Sequence, residues 1–151
     1  MDPFFIWLEA TAISTWVRES TSVFAFPGIL SLHALGMGLV AGLNAAIALR
    51  ILGIAPQVPF PEIKRFLPVM WFGFWLNAVS GVLLLLAYPT KALTNPVFYL
   101  KLFLIALAVT SAVKAATKES RLWASLSLAG WTGAITAGRL LAYTYTRLTA
   151  T

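Results

Sequence analysis

Three ionisable side chains interrupt apolar runs of this chain: His33, Lys101 and Arg139. His33 is the one histidine among 151 residues and lies inside GILSLHALGMGLVAGLNAAIALRIL, residues 28–52. A neutral imidazole is a standard axial ligand for haem iron. Lysine and arginine pair with carboxylates, including the propionates of a haem. One histidine with two cations near it therefore reads as a site for haem b, with His33 on the iron and Lys101 and Arg139 on the propionates. A structural element must carry each of the three, and composition says which kind.

Hydrophobic residues make up 60% of the chain and charged residues 11%. Soluble domains carry about 25% charged residues. A chain this poor in charge cannot cover itself with a polar surface, so an integral membrane protein is expected, with the lipid bilayer as its first partner. The absence of cysteine excludes disulfides, thiolate metal sites and thiol catalysis. The net charge of +6 does not indicate nucleic acid, because the cations lie in short loops between apolar runs, where they set topology.

A span needs about 20 apolar residues. Residues 22–52, 66–88, 96–117 and 121–145 meet that length, which predicts an all-α, four-helix membrane bundle as one domain over 1–151. The loop from Gly53 to Pro61 holds Pro56, Pro59 and Pro61 and is not expected to form regular helix. Residues 3–18 are aromatic-rich but broken by charge, which suits an amphipathic helix in the membrane interface. Asp2 would cap it, with Pro3 in its first turn. The N-terminus lacks a basic start and a small-residue cleavage site, so no secretory signal is expected.

Short-loop cations fix orientation. Arg50, Lys64, Arg65, Lys114, Lys118 and Arg121 fall on one side; Arg18, Lys91 and Arg147 fall on the other. The larger set is expected in the cytoplasm of a bacterial inner membrane, with both termini periplasmic. At about 1.5 Å per residue, His33 lies roughly 16 Å from the outer end of its span, Lys101 roughly 8 Å and Arg139 roughly 9 Å.

The helical period places His33, Gly36, Met37, Val40 and Asn44 on one face of the first span. Gly38 and Gly42 lie opposite, spaced as in small-residue helix interfaces. Gly73, Asn77, Ser80 and Gly81 share a face of the second span. Ser125, Thr132, Thr136, Arg139 and Tyr143 form a stripe on the fourth. These polar or small faces are expected to point inward. Gly36 would leave room for a flat macrocycle, with Trp71, Phe72, Phe74 and Trp75 as walls. Met37 shares a helix with His33, so it cannot ligate the far side of the same iron. The candidate cofactor site is thus His33, Lys101, Arg139, Gly36, Met37 and Asn77, with His33 as the metal ligand.

Plainer roles fit the same residues. A membrane histidine can hydrogen-bond to a neighbouring helix. Lysine and arginine near span ends snorkel to the interface. Tryptophans 7, 16, 71, 123 and 131 suit interfacial anchors. With one histidine, a haem would be five-coordinate, take an exogenous ligand or be shared across an oligomer.

His33 with Gly42-Leu43 and Arg50, Ser80-Gly81 with Leu83 to Leu86, and Asn95-Pro96 with Tyr99-Leu100-Lys101-Leu102 together resemble a group of small four-helix bacterial membrane proteins. The group comprises the HemJ-type protoporphyrinogen oxidases and the CopD-like membrane domains. The likeness covers residues 28–110, and the fourth span departs from it. It implies haem on the first-span histidine and a functional lysine in the third, here His33 and Lys101. Copper transport, the CopD-like role, needs several His, Met or Cys ligands, which this chain lacks. The expected function is a membrane haem protein in electron transfer or porphyrin-linked redox chemistry, possible as an oxidoreductase. The alternatives are a cofactor-free accessory subunit in a homo-oligomer or larger complex, and an oligomeric transporter of small molecules or metals.

Overall fold

The computed structural model describes residues 3–148, with side chains to 144. Among these residues the chain is helical, in eight segments. Two short helices come first, α1 (Pro3–Glu9) and α2 (Ala12–Glu19). Four long helices follow: α3 (Phe26–Leu52), α5 (Leu67–Ala87), α7 (Pro96–Lys118) and α8 (Arg121–Leu148). Short helices α4 (Phe60–Lys64) and α6 (Pro89–Leu93) sit in the connections. Three segments are long and apolar enough to cross a membrane: Phe26–Leu52, Phe60–Ala87 (joining α4 to α5) and Pro96–Lys118. α8 is as long but less apolar.

Local chemistry explains the boundaries. α7 starts where the Asn95 side chain accepts from Val97 N at 3.0 Å, with Pro96 in the first turn. α3 ends at Gly53, whose φ of 98° closes the helix through bonds to the Arg50 and Leu49 carbonyls. The proline-rich loop does contain a helical turn, contrary to expectation. Pro61 stands in the first turn of α4, where a missing N–H costs nothing.

The N-terminal segment is two helices, where one over 3–18 was expected. Thr11 breaks it: its hydroxyl donates to Leu8 O at 2.8 Å and accepts from Ser14 N at 3.4 Å, serving both helix ends. The Asp2 cap lies outside the described residues. Arg18 then ties α1, α2 and α5 together. It donates to Ser14 Oγ at 2.7 Å, to Ala87 O at 3.2 Å and to Glu9 O at 3.0 Å. The last two are carbonyls at helix C-termini, where a cation is favoured. Val17 packs beneath with Ile29 and Ala87. Phe4, Trp7 and Trp16 stay exposed.

The long helices form two tight pairs, α3 with α5 and α7 with α8, joined through α3 and α8. Small residues make each pair. A Cβ on Gly36 would lie 2.6 Å from Asn77 N and 2.8 Å from Gly73 O. A Cβ on Gly130 would lie 2.9 Å from the Ala108 Cβ. Small residues at these crossings let the helix backbones approach closely. Val40, Ile47, Met70, Ala108, Trp131 and Ala134 form the main core. Trp131 is 4% exposed, a core residue where an interfacial anchor was expected.

The Thr–Arg stripe of α8 points outward, also contrary to expectation. Ser125, Thr132, Thr136, Arg139 and Tyr143 are exposed. The Thr132 and Thr136 hydroxyls each donate to the carbonyl four residues back at 2.8 Å, so they need no partner on another helix. The inward face carries Ala124, Ser127, Gly130, Ala134 and Ala137.

These contacts separate two classes of glycine. Gly36→Ala forces apart α3 and α5 and should cost about 1–3 kcal/mol, as overpacking does. Gly38→Ala, whose Cβ meets nothing within 4 Å, should leave stability unchanged or slightly raised. Thermal unfolding of both variants in mild detergent checks the contrast.

Candidate functional site

His33 sits two turns into α3, facing α5 across the Gly36–Gly73 crossing. Its Nδ1 lies 3.0 Å from Asn77 O and 3.1 Å from Ser80 Oγ. A carbonyl can only accept, so Nδ1 carries the proton. Ser80 Oγ already donates to Leu76 O at 2.6 Å, which leaves it free to accept from the imidazole. The Asn77 amide donates to His33 O at 2.8 Å, its shorter contact, and lies 3.3 Å from Nδ1. Gly81 completes the seat: a Cβ there would come 3.1 Å from the ring Cε1. The ring lies flat on α5 because residue 81 has no side chain.

With Nδ1–H committed, the lone pair of the neutral ring is on Nε2. No hydrogen bond to Nε2 occurs among the described residues. The ring lines a cavity of about 440 Å³. Ligand sites typically run about 300–1,000 Å³. Phe26 and Leu30 of α3, Gly81, Leu84 and Leu85 of α5, and Gly138, Leu141 and Ala142 of α8 form its walls. Tyr88, Lys91 and Ala92 close one end, and Phe98 and Lys101 come from α7. Among the described residues no acidic side chain lines it, while Lys91 and Lys101 do, so the cavity is cationic as well as apolar.

The expected site residues part company here. His33 and Lys101 line the same cavity. Lys101 rests against Gly138, whose Cβ would lie 3.7 Å from Nζ; among the described residues its ammonium has no ion pair or hydrogen bond. Asn77 holds the histidine and does not line the cavity. Gly36 offers no room for a macrocycle, since the α5 backbone fills the space beside it. Met37 packs on the core. Arg139 is exposed, and its neighbour Gly138 lines the cavity instead. Trp71, Phe72, Phe74 and Trp75 lie toward the other end of α5; the aromatic walls are Phe26, Tyr88 and Phe98. Phe26 and Tyr88 meet edge to face at 5.9 Å.

Lys91 and Tyr88 were not read as site residues from the sequence. Lys91 stands in a loop whose turn back over the helix ends could not be foreseen. The available signal was proline: Pro89 opens α6 and Pro96 opens α7, so the chain between them is short and must fold over the bundle end.

Elsewhere, Asn44 donates to Ser127 Oγ at 3.3 Å, tying α3 to α8. Asn95 donates to Thr144 Oγ1 at 3.0 Å, tying the start of α7 to α8. These are structural ties at buried positions. No protein-family description, curated protein or solved structure matches this chain.

The single histidine makes the tautomer directly measurable. In ¹⁵N spectra of histidine-labelled protein above the imidazole titration, Nδ1 should appear protonated and Nε2 bare. A bare Nδ1 would remove the Asn77 carbonyl as the anchor.

Proposed function

We propose that this chain is a four-span integral membrane protein whose cavity holds a b-type haem through His33 Nε2. One observation carries the reading: His33 is anchored by Nδ1 to Asn77 O and Ser80 Oγ while Nε2 has no partner among the described residues and the ring lines a large apolar cavity. Metal-binding histidines have this arrangement, because the bond at one nitrogen fixes the tautomer and orients the other.

The donor set suits haem better than a bare ion. Among the described residues no three His, Cys, Asp or Glu side chains come together. A lone ion would lack ligands, whereas haem iron brings its macrocycle nitrogens and needs one axial side chain. Lys101 would take a propionate from inside the cavity, and Arg139 would not. The lining residues contain no second histidine, methionine or cysteine, so His33 would be the single side-chain ligand of those types. Bound haem would supply one-electron redox chemistry; the chain supplies the ligand, its orientation and the positive charge. In this reading the likeness to HemJ-type proteins concerns His33 and Lys101, and an oxidoreductase role follows from the cofactor.

The same proposal includes the bacterial inner membrane, both termini periplasmic and α8 as a fourth span. The open Gly38–Gly42 face of α3 favours a homo-oligomer or a place in a larger membrane complex.

An absorption spectrum of protein purified in mild detergent, oxidised and then reduced, tests the cofactor. A Soret band near one haem per chain is expected, lost in His33→Ala and retained in Arg139→Gln. A colourless protein expressed with ample haem overturns the reading and leaves the accessory-subunit role. A C-terminal reporter active only in the cytoplasm overturns the orientation.

A further inference from the structure

Two lysines line the His33 cavity, Lys101 of α7 and Lys91 of α6. They stand at different heights. Lys101 comes five residues after the start of α7, roughly 8 Å along its axis. His33 comes seven residues after the start of α3, roughly 10 Å along its axis. Lys91 lies in the middle of α6, in the connection between α5 and α7 at the end of the bundle. The cavity therefore has one cation near the level of the imidazole and another at the end that α6 closes.

The backbone that carries Lys91 is held by the protein itself. Pro89 and Ala92, on either side of it in α6, are buried. Thr90 donates to Glu9 Oε1 at 2.7 Å, which ties α6 to α1. Tyr88 N donates to Leu84 O at 3.2 Å at the entry from α5. Asn95 donates to Thr144 Oγ1 at 3.0 Å at the exit into α7. A charged group on an element already in place loses less freedom when it binds. Glu9 takes the Thr90 hydroxyl and does not line the cavity.

A haem carries two propionates on one edge. Lys101 accounts for one of them, and Arg139 is exposed on the outer face of α8. The other cation among the lining residues is Lys91. We infer that Lys91 holds the second haem propionate, so that the cavity selects a dicarboxylate ligand over its uncharged ester. The inference rests on the haem reading and adds a residue to it. In this arrangement α6 is part of the site as well as a connection. Snorkelling is the other use of a lysine near a span end, and it carries no dependence on the charge of the ligand.

The test titrates full-length apoprotein in mild detergent with haemin and with haemin dimethyl ester, following the Soret band. Lys91→Met should bind haemin about tenfold more weakly than wild type and the ester equally well. Lys91→Arg should restore haemin affinity. Lys118→Met, at an exposed cation outside the cavity, should change neither, which separates Lys91 from the general attraction of a basic protein. A second measurement needs no variant. Carbodiimide treatment of the wild-type complex joins a carboxylate to a contacting amine as an amide, with loss of water, and should leave haem on the Lys91 peptide. Unchanged haemin affinity in Lys91→Met overturns the inference, as does equal weakening for haemin and ester. Should Lys91→Met fail to fold, coupled haem found on Lys101 and absent from Lys91 overturns it. A Soret band lost in His33→Ala and indifferent to Lys91 removes this inference alone. No Soret band in the wild type removes the haem reading and this inference with it.

Discussion

At Gly36 and Gly73 the backbones of α3 and α5 approach so closely that no Cβ fits between them. That contact sets the height at which the two helices meet and the face each turns to the other. One turn above it, Asn77 Nδ2 reaches His33 O and Asn77 O reaches His33 Nδ1. These bonds exist because the glycines permit the approach; ordinary interaxial distances of 8–10 Å would carry the carbonyl away from the ring. The reciprocal pair then locks the imidazole on α5, and Gly81 leaves the space in which it lies. A packing constraint thus becomes a chemical one: a histidine with its tautomer and orientation both specified.

The two ends of the bundle differ for a related reason. Toward the α3 C-terminus, Ala48, Ala115 and Ala124 meet as a small-residue cluster, and helices with such surfaces draw together. Toward the α3 N-terminus the facing residues are Leu30, Leu84, Leu85, Phe98 and Lys101. Long side chains and a cation hold the helices apart, so the cavity forms there. α6 folds over that end, and α1 and α2 are pinned beside it by Arg18 and by Thr90 donating to Glu9 Oε1 at 2.7 Å. The cap therefore meets the bundle through the Arg18 and Thr90 hydrogen bonds and the buried Val17, and faces out with Phe4, Trp7 and Trp16.

Much of this was legible in the residues. Long apolar runs bounded by prolines and basic loops locate α3, α5 and α7, because a buried backbone must pair its N–H and C=O groups and helix is the local way to do so. The face carrying His33, Val40 and Asn44 followed from periodicity alone, as did Asn77 with Ser80 and Gly81. The α8 face did not. Threonine and arginine look like inward polar groups in a sequence, yet threonine can satisfy its hydroxyl on its own helix, while Ala134 and Ala137 carry no signal except size. Trp131 and Trp71 look alike on paper; only the contact of Gly130 with Ala108 decides that one is interior. Gly36 was read as room for a ligand and is room for a backbone. Lys91 needed the path of a loop, which periodicity does not describe.

The accessory-subunit reading explains part of the site and leaves part of it over. A histidine acting as interhelical glue needs one bond to its neighbour, and Nδ1 makes that bond with Asn77 O. The same fastening could be made by serine or asparagine, which Asn44 and Ser127 do deeper in the bundle. An imidazole adds a second nitrogen, and among the described residues that nitrogen has no hydrogen-bond partner, in a cavity it shares with a Lys101 that has no ion pair or hydrogen bond among them. Apolar filling at these positions would have been the stabler solution for a purely structural helix pair, since empty volume and unsatisfied polar groups both cost free energy. The anionic, metal-bearing ligand proposed above would turn both costs into contacts. Arg139, exposed on the outer face of α8, belongs to neither account.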